Sequence, residues 1–184
     1  MTLEELGKRL QFLEDREAIR ELVARYGQVV DDRDIEGVRA LFTEDAVFRT
    51  KGGEMNAVGV AEVMDNFRSR FKAMTASGHF VHDHIIGFQS DRAAHGYVTS
   101  HAELVRNGES FLVAMRYQDQ YLRFEDGWKF SEREVSFFYY LPTDRYPELL
   151  PQRARVCGYG DPIDADWPEG TDSYQRYERI LGSE

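Results

Sequence analysis

A single cysteine, Cys157, in 184 residues excludes an intramolecular disulfide and any zinc site built from several thiolates, and it fits a reducing compartment. Long apolar runs are missing as well: no stretch approaches the roughly 18 residues that a membrane helix needs. Residues 1–8 are polar and acidic, unlike the apolar segment of a signal sequence, so the expectation is a soluble, cytoplasmic protein with no membrane partner. Basic residues are few, 23 Lys and Arg against 33 Asp and Glu, and the net charge of −10 argues against a nucleic-acid partner, because phosphate contacts need clustered cations. GxGxxG, a P-loop GK[ST] and a GxSxG elbow are absent, which leaves nucleotide, flavin and serine-hydrolase chemistry without a foothold. The five prolines all lie from Pro142 onward, where they break any long element.

Aromatic residues, in contrast, are plentiful, at 13% of the chain with ten Tyr and twelve Phe, which suits a thick core or a pocket for a ring-bearing ligand. The organising stretch is residues 26–48, YGQVVDDRDIEGVRALFTEDAVF. Upstream of it, Ile19, Leu22, Val23, Tyr26, Val29 and Val30 recur at helical steps, so one helix face is apolar and turned inward. Thr2-Leu3-Glu4-Glu5 has the form of a capping box, and a helix from there reaches about Val30, with Gly7 as a point of interruption. Asp34 caps a short second helix carrying Ile35, Val38, Leu41 and Phe42, and a strand follows at residues 46–48. After a second short strand ending near Gly59, a third helix places Val60, Val63, Met64, Phe67, Phe71 and Met74 on one stripe and stops at Ser77-Gly78.

From Gly78 to Leu141 the texture changes to long strands separated by Ser90-Asp91, Asn107-Gly108 and Asp126-Gly127, the last two being type I′ hairpin signals. This predicts a four-stranded antiparallel meander, long enough to curl, with three helices on its concave side: an α+β class. On the third strand of the meander, alternation puts Phe111, Val113, Met115, Tyr117, Asp119 and Tyr121 on the better cavity face. On the last strand Ser131, Arg133, Val135, Phe137 and Tyr139 share one face, and Trp128, Phe130, Glu132 and Glu134 the other. Bulk on both faces suggests that one meets a cavity and the other a helix or a second subunit. Residues 1–141 form the domain by this reading, and residues 142–184 an extension that packs on it, closes a pocket mouth or crosses to a partner. Its last helix is expected to start at Asp172 or Ser173 and to turn Tyr174, Tyr177, Ile180 and Leu181 inward.

Tyr26, Asp31 and Asp34, followed by Leu41-Phe42 and Asp45-Ala46-Val47, resemble the N-terminal signature of SnoaL-like proteins of the nuclear-transport-factor-2-like (NTF2-like) superfamily. Within it the chain is similar to cofactor-free lyases, namely scytalone dehydratase, bile-acid dehydratase and hexachlorocyclohexane dehydrochlorinase, over roughly residues 14–141. The resemblance implies a cone-shaped, cystatin-like barrel with an internal pocket. It also implies a catalytic set. His79 stands in the family histidine's relation to the strand pair bearing Phe88 and Gly96, and Arg133 follows Asp126-Gly127-Trp128 as the family arginine does. Asp31, His79, Tyr26 and Arg133 are thus the expected catalytic residues, with His82 as a rival should a bulge near Gly78 exchange the two histidines. Phe48, Met115, Tyr117, Phe137, Tyr139, His82 and His101 are the expected substrate contacts.

His79, His82, Asp83 and His84 also read as a dense ligand set, but the glutamate of a cupin site is missing after His84 and there is no HExxH, so neither a metal nor an organic cofactor is expected. The expected function is a cofactor-independent lyase, a dehydratase acting on a hydrophobic cyclic or aromatic small molecule, with deformylation through a quinone methide as a variant. An isomerase or cyclase using the same pocket, and a non-catalytic binding or assembly subunit, are the alternatives. A homodimer or homotrimer is the expected assembly.

Overall fold

The computed structural model describes residues 1–182. Helix α1 (Leu3–Asp31) is followed by α2 (Ile35–Ala40), strands β1 (Phe42–Thr50) and β2 (Asn56–Val58), and α3 (Val60–Ala73). The meander β3 (Met74–Phe88), β4 (Ala93–Arg106), β5 (Glu109–Phe124) and β6 (Gly127–Pro142) comes next, then α4 (Tyr146–Leu149), β7 (Ala154–Val156), β8 (Ile163–Asp164) and α5 (Asp172–Leu181). Among the described residues no helix is long and apolar enough to cross a membrane.

The local signals account for most of these boundaries. The Thr2 hydroxyl accepts the Glu5 N–H at 3.1 Å while the Glu5 carboxylate accepts the Thr2 N–H at 2.7 Å, and α1 then runs through Gly7 without interruption. The Asp34 carboxylate accepts the Gly37 N–H at 2.9 Å and opens α2 as expected. Both Asn107 (φ 52°) and Gly108 (φ 84°) take the left-handed conformations of a type I′ turn. At the next hairpin only Gly127 (φ 121°) is left-handed, so Asp126-Gly127 is not the type I′ turn that its sequence suggests. The third helix also ends early. Ala73 is its last residue, and Ser77-Gly78 lies inside β3, whose pairing with β4 begins at Met74.

The sheet order is β2-β1-β6-β5-β4-β3, curled but not closed. Within β3–β6 every pair is antiparallel, while β1 joins β6 in parallel and β7 meets β6 in parallel at Tyr140 and Val156. The concave face carries the core. Tyr26 on α1 is ringed edge-on by Phe42, Phe67, Tyr117 and Phe130 at centroid distances of 5.9 to 6.4 Å, and Phe48 stacks on Phe67 at 5.3 Å. β5 keeps the expected alternation, with Phe111, Val113, Met115, Tyr117, Asp119 and Tyr121 all buried.

β6 does not keep it. An extra residue at Ser131, where Gln120 pairs with Glu132 but Tyr121 with Phe130, returns Trp128 and Phe130 to the face of Arg133. A second bulge at Phe138 turns Tyr140 inward and leaves Tyr139 on the outer side, packed edge-on against Tyr146 at 5.3 Å. The extension is clamped behind this strand. Buried Arg155 holds Glu169 through two bonds of 2.9 and 2.7 Å and donates to the Phe138 carbonyl at 2.6 Å, and Asp166 accepts the Phe137 N–H at 2.7 Å. α5 begins at Asp172 but does not turn its apolar face inward: Tyr177, Ile180 and Leu181 are 58, 60 and 51% exposed.

Candidate active site

Asp31 is the last residue of α1, one turn after Gly27 on the same helix face, and both look onto β3 at His79. A Cβ on Gly27 would sit 3.4 Å from the His79 Cβ, so the glycine lets the strand come close enough for the carboxylate to reach the ring. Asp31 Oδ1 lies 2.6 Å from His79 Nδ1, and Asp31 Oδ2 accepts the His79 backbone N–H at 2.8 Å. The two side chains are 22 and 6% exposed. Burial pushes the Asp31 carboxyl up, but the His79 ring, its charge and its backbone N–H outweigh that and hold the group below the ordinary carboxylate range. An ionised Asp31 accepting from Nδ1 leaves the lone pair on Nε2, at the edge of an interior cavity that His79 helps to line.

That cavity has about 30 Å³ of open space, room for one water, and of the expected residues Tyr26, Phe48, His79, Met115, Tyr117 and Phe137 line it. Met55, Arg70, Tyr140 and Tyr159 form a wall shared with an outer groove of about 330 Å³. None of these four was among the residues expected from sequence. Arg70 stands three residues after Phe67 on the apolar stripe of α3, a signal that was available. Tyr140 depends on the Phe138 bulge, and Tyr159 comes from the extension, for which no periodicity exists to read.

Arg133 is placed differently from its expected role. Its guanidinium is fully buried, bonds Asp119 at 2.8 and 2.6 Å, and lies 4.2 Å from the ring centroids of Tyr26, Tyr117 and Phe130. It faces the backs of two cavity-lining rings, not the cavity. Although burial acts against its charge, Asp119 more than offsets this and raises its pKa. The same carboxylate accepts from the Tyr121 hydroxyl at 2.8 Å, and Tyr121 meets His84 Nε2 at 3.1 Å. Gly96 makes room for that contact, since a Cβ there would collide with the Tyr121 hydroxyl.

His82, His101 and Tyr139 are not brought to the cavity. β3 carries extra residues at Thr75 and at His82-Asp83, on either side of the run 76–81, which pairs regularly with β4 and sets His79 opposite the buried Ala102. His79 therefore points inward, and His82 and His101 stack on the outer face, with His82 Nε2 2.6 Å from His101 Nδ1. The dense run His79, His82, Asp83, His84 is thus divided between three surroundings, and among the described residues no three His, Cys, Asp or Glu side chains converge as a metal-binding group.

Comparison with known proteins bears on this arrangement. A search of curated proteins finds no match. Among solved structures, one from Novosphingobium aromaticivorans, described as a candidate aromatic ring hydroxylase, is similar at 30% identity over 71% of this chain and 94% of its own, with a TM-score of 0.67. Hexachlorocyclohexane dehydrochlorinase LinA-type3 from Novosphingobium barchaimii is similar at 24% identity over 73 and 93% of the two chains, TM-score 0.65. A candidate scytalone dehydratase from Novosphingobium aromaticivorans is similar at 19% over 82 and 98%, TM-score 0.68. These last two share the fold. Residues 11–134, from the middle of α1 to Glu134 beyond Arg133, match the SnoaL-like domain, so the chain belongs to the SnoaL-like family and its curled sheet around α1 is the NTF2-like, cystatin-like fold.

Proposed function

We propose that this protein is a cofactor-independent lyase of the dehydratase type, acting on a hydrophobic cyclic or aromatic small molecule held in the interior cavity. The observation that carries the reading is the Asp31–His79 pair at the edge of an aromatic-lined cavity. With Nδ1 committed to Asp31, Nε2 takes a proton from a carbon activated by a neighbouring carbonyl or aryl group; the C–H electron pair becomes the new double bond. The C–O bond of the adjacent carbon breaks, and the hydroxyl departs as water with the proton that His79 returns. Tyr26, also on the lining, is the phenol placed to polarise a carbonyl or to assist that departure. Arg133 supports the site from behind, holding Tyr26 and Tyr117 by its charge against their rings. The names of the similar structures, a dehydratase, a dehydrochlorinase and an aromatic ring hydroxylase, support elimination and a ring-bearing substrate.

A ring does not fit in 30 Å³, so binding moves the wall of Met55, Arg70, Tyr140 and Tyr159 and joins the cavity to the groove outside, a space within the usual range of ligand pockets. A second copy of the chain is proposed to cover the outer sheet face, where Phe80, Ile85, Leu122 and Phe124 are exposed; sedimentation showing a monomer at micromolar concentration removes that part. The activity is tested by incubating the protein, without added metal or cofactor, with a panel of benzylic and ring alcohols and reading products by mass spectrometry. Loss of water that disappears in Asp31→Asn and His79→Ala is the expected result. Turnover indifferent to both substitutions contradicts it, and a product of unchanged mass replaces elimination by isomerisation.

A further inference from the structure

Arg70 is a cation with no carboxylate partner among the described residues, at the boundary between the cavity and the groove. It projects from the last turn of α3 beside the rings of Phe48 and Phe67, its Cζ 5.8 and 5.6 Å from their centroids, and no carboxylate bonds it among the described residues. Glu54, the carboxylate on the groove wall, is held instead by the Thr50 hydroxyl at 2.6 Å. The other cation there, Arg106, is committed to the Gly158 carbonyl at 2.5 Å. Two further polar atoms at this boundary are buried and unpartnered: the Tyr140 hydroxyl, on the wall between the two spaces, and Asn66 Oδ1, on the groove. A buried hydroxyl without an acceptor is costly to keep unless something else supplies one, and the half-buried guanidinium beside it has donors left for the same ligand.

We propose that Arg70 and the Tyr140 hydroxyl bind a carboxylate on the substrate, so that the substrate is an aromatic acid whose ring lies in the cavity beside His79 and whose anion lies at the groove. The guanidinium fork matches the two oxygens of a carboxylate, and the phenol supplies a further donor. The surrounding apolar and aromatic residues weaken the competition from water, so the anion is recognised through a charge-assisted bond in a low-dielectric place. Both spaces share Arg70, so an acid reaching it spans the wall that a neutral ring would have to displace unaided. The proposal rests on the cavity being the substrate site, and not on the elimination that follows.

Calorimetric titration with 3-phenylpropanoate and with its neutral analogue 3-phenylpropanamide tests it by binding alone. Wild type is expected to favour the acid by about 10- to 100-fold, the usual worth of a charge-assisted hydrogen bond. Arg70→Gln should bring acid and amide together at unchanged thermal stability, Arg70→Lys should keep part of the preference, and Tyr140→Phe should lose a few-fold. Asp31→Asn should bind the acid as wild type does, which separates this proposal from the lyase reading: a retained acid preference in a protein without elimination activity sinks the latter only. Equal binding of acid and amide by wild type, no saturable acid binding, or a preference that survives Arg70→Gln and vanishes in Arg106→Gln overturns the assignment to Arg70.

Discussion

Two carboxylate pairs lie within this small core, and they differ in what is left open. Asp119 and Arg133 are wholly enclosed: both side chains are 0% exposed, the bond is bidentate, and aromatic rings cover the guanidinium. Asp31 and His79 use only one edge of the imidazole, and the opposite edge is free at the cavity. An enclosed pair holds elements together; a pair open on one edge has capacity for a reaction. Asp31, His79 and Arg133 were expected from the family resemblance in one active site, and the structure sets Arg133 apart from the other two behind a layer of rings, Tyr26 and Tyr117.

The contrast can be broken most forcefully at the open pair. Asp31→Asn and His79→Ala should each lower kcat by roughly 10² to 10⁴ with the fold intact by circular dichroism, and the double variant should be little worse than either, since the two act as one unit. At the closed pair the loss should appear in stability. Removing Arg133 alone, as Arg133→Met, leaves Asp119 buried without its cation and should cost about 3 to 5 kcal/mol in denaturant unfolding, while Arg133→Met combined with Asp119→Leu should recover a large part. No paired apolar replacement should restore activity at Asp31 and His79.

A smaller effect belongs to the neighbour of the closed pair. Burial, with Arg133, Arg20 and Arg16 adding to it and Asp119 opposing, lowers the His84 pKa from 6.5 to about 4. Between those values the unfolded chain takes up a proton that the folded protein refuses, so stability should fall as pH drops from about 6.5 to about 4. Thermal melts over that window should be less pH-dependent in His84→Gln. The smallest effect is expected on the outer face, where His82→Ala and His101→Ala should keep most of the activity.

Much of this was legible. Tyr26 follows from the helical period of α1, Asp31 and His79 were legible through the family resemblance, and the inner face of β5 follows from strict alternation because that strand has no bulged residue of its own. Reading failed where one extra residue shifts the count. The bulges at Ser131 and Phe138 exchange Tyr139 for Tyr140 and return Trp128 and Phe130 to the inside, and no residue type at those positions announces them. His79 faces inward and His82 outward because β3 is regular from Ala76 to Val81, its two bulges falling at Thr75 and at His82-Asp83. α5 shows a second limit. Its apolar stripe is real, but periodicity says only that a face exists, not that this chain covers it. Arg70 stands on a readable stripe, but a cation among Phe67 and Phe71 does not look like core.

The central claim is that Asp31 fixes the ring of His79 so that Nε2 is the bare nitrogen at the cavity, and ¹⁵N NMR of histidine-labelled protein above neutral pH tests it without a substrate. The account predicts His79 as the Nδ1–H tautomer, with that proton strongly deshielded by the bond to Asp31 and the preference weakened in Asp31→Asn. A His79 found as the Nε2–H tautomer in the wild type would contradict it, because the nitrogen facing the cavity would then carry a proton and have no lone pair to accept one.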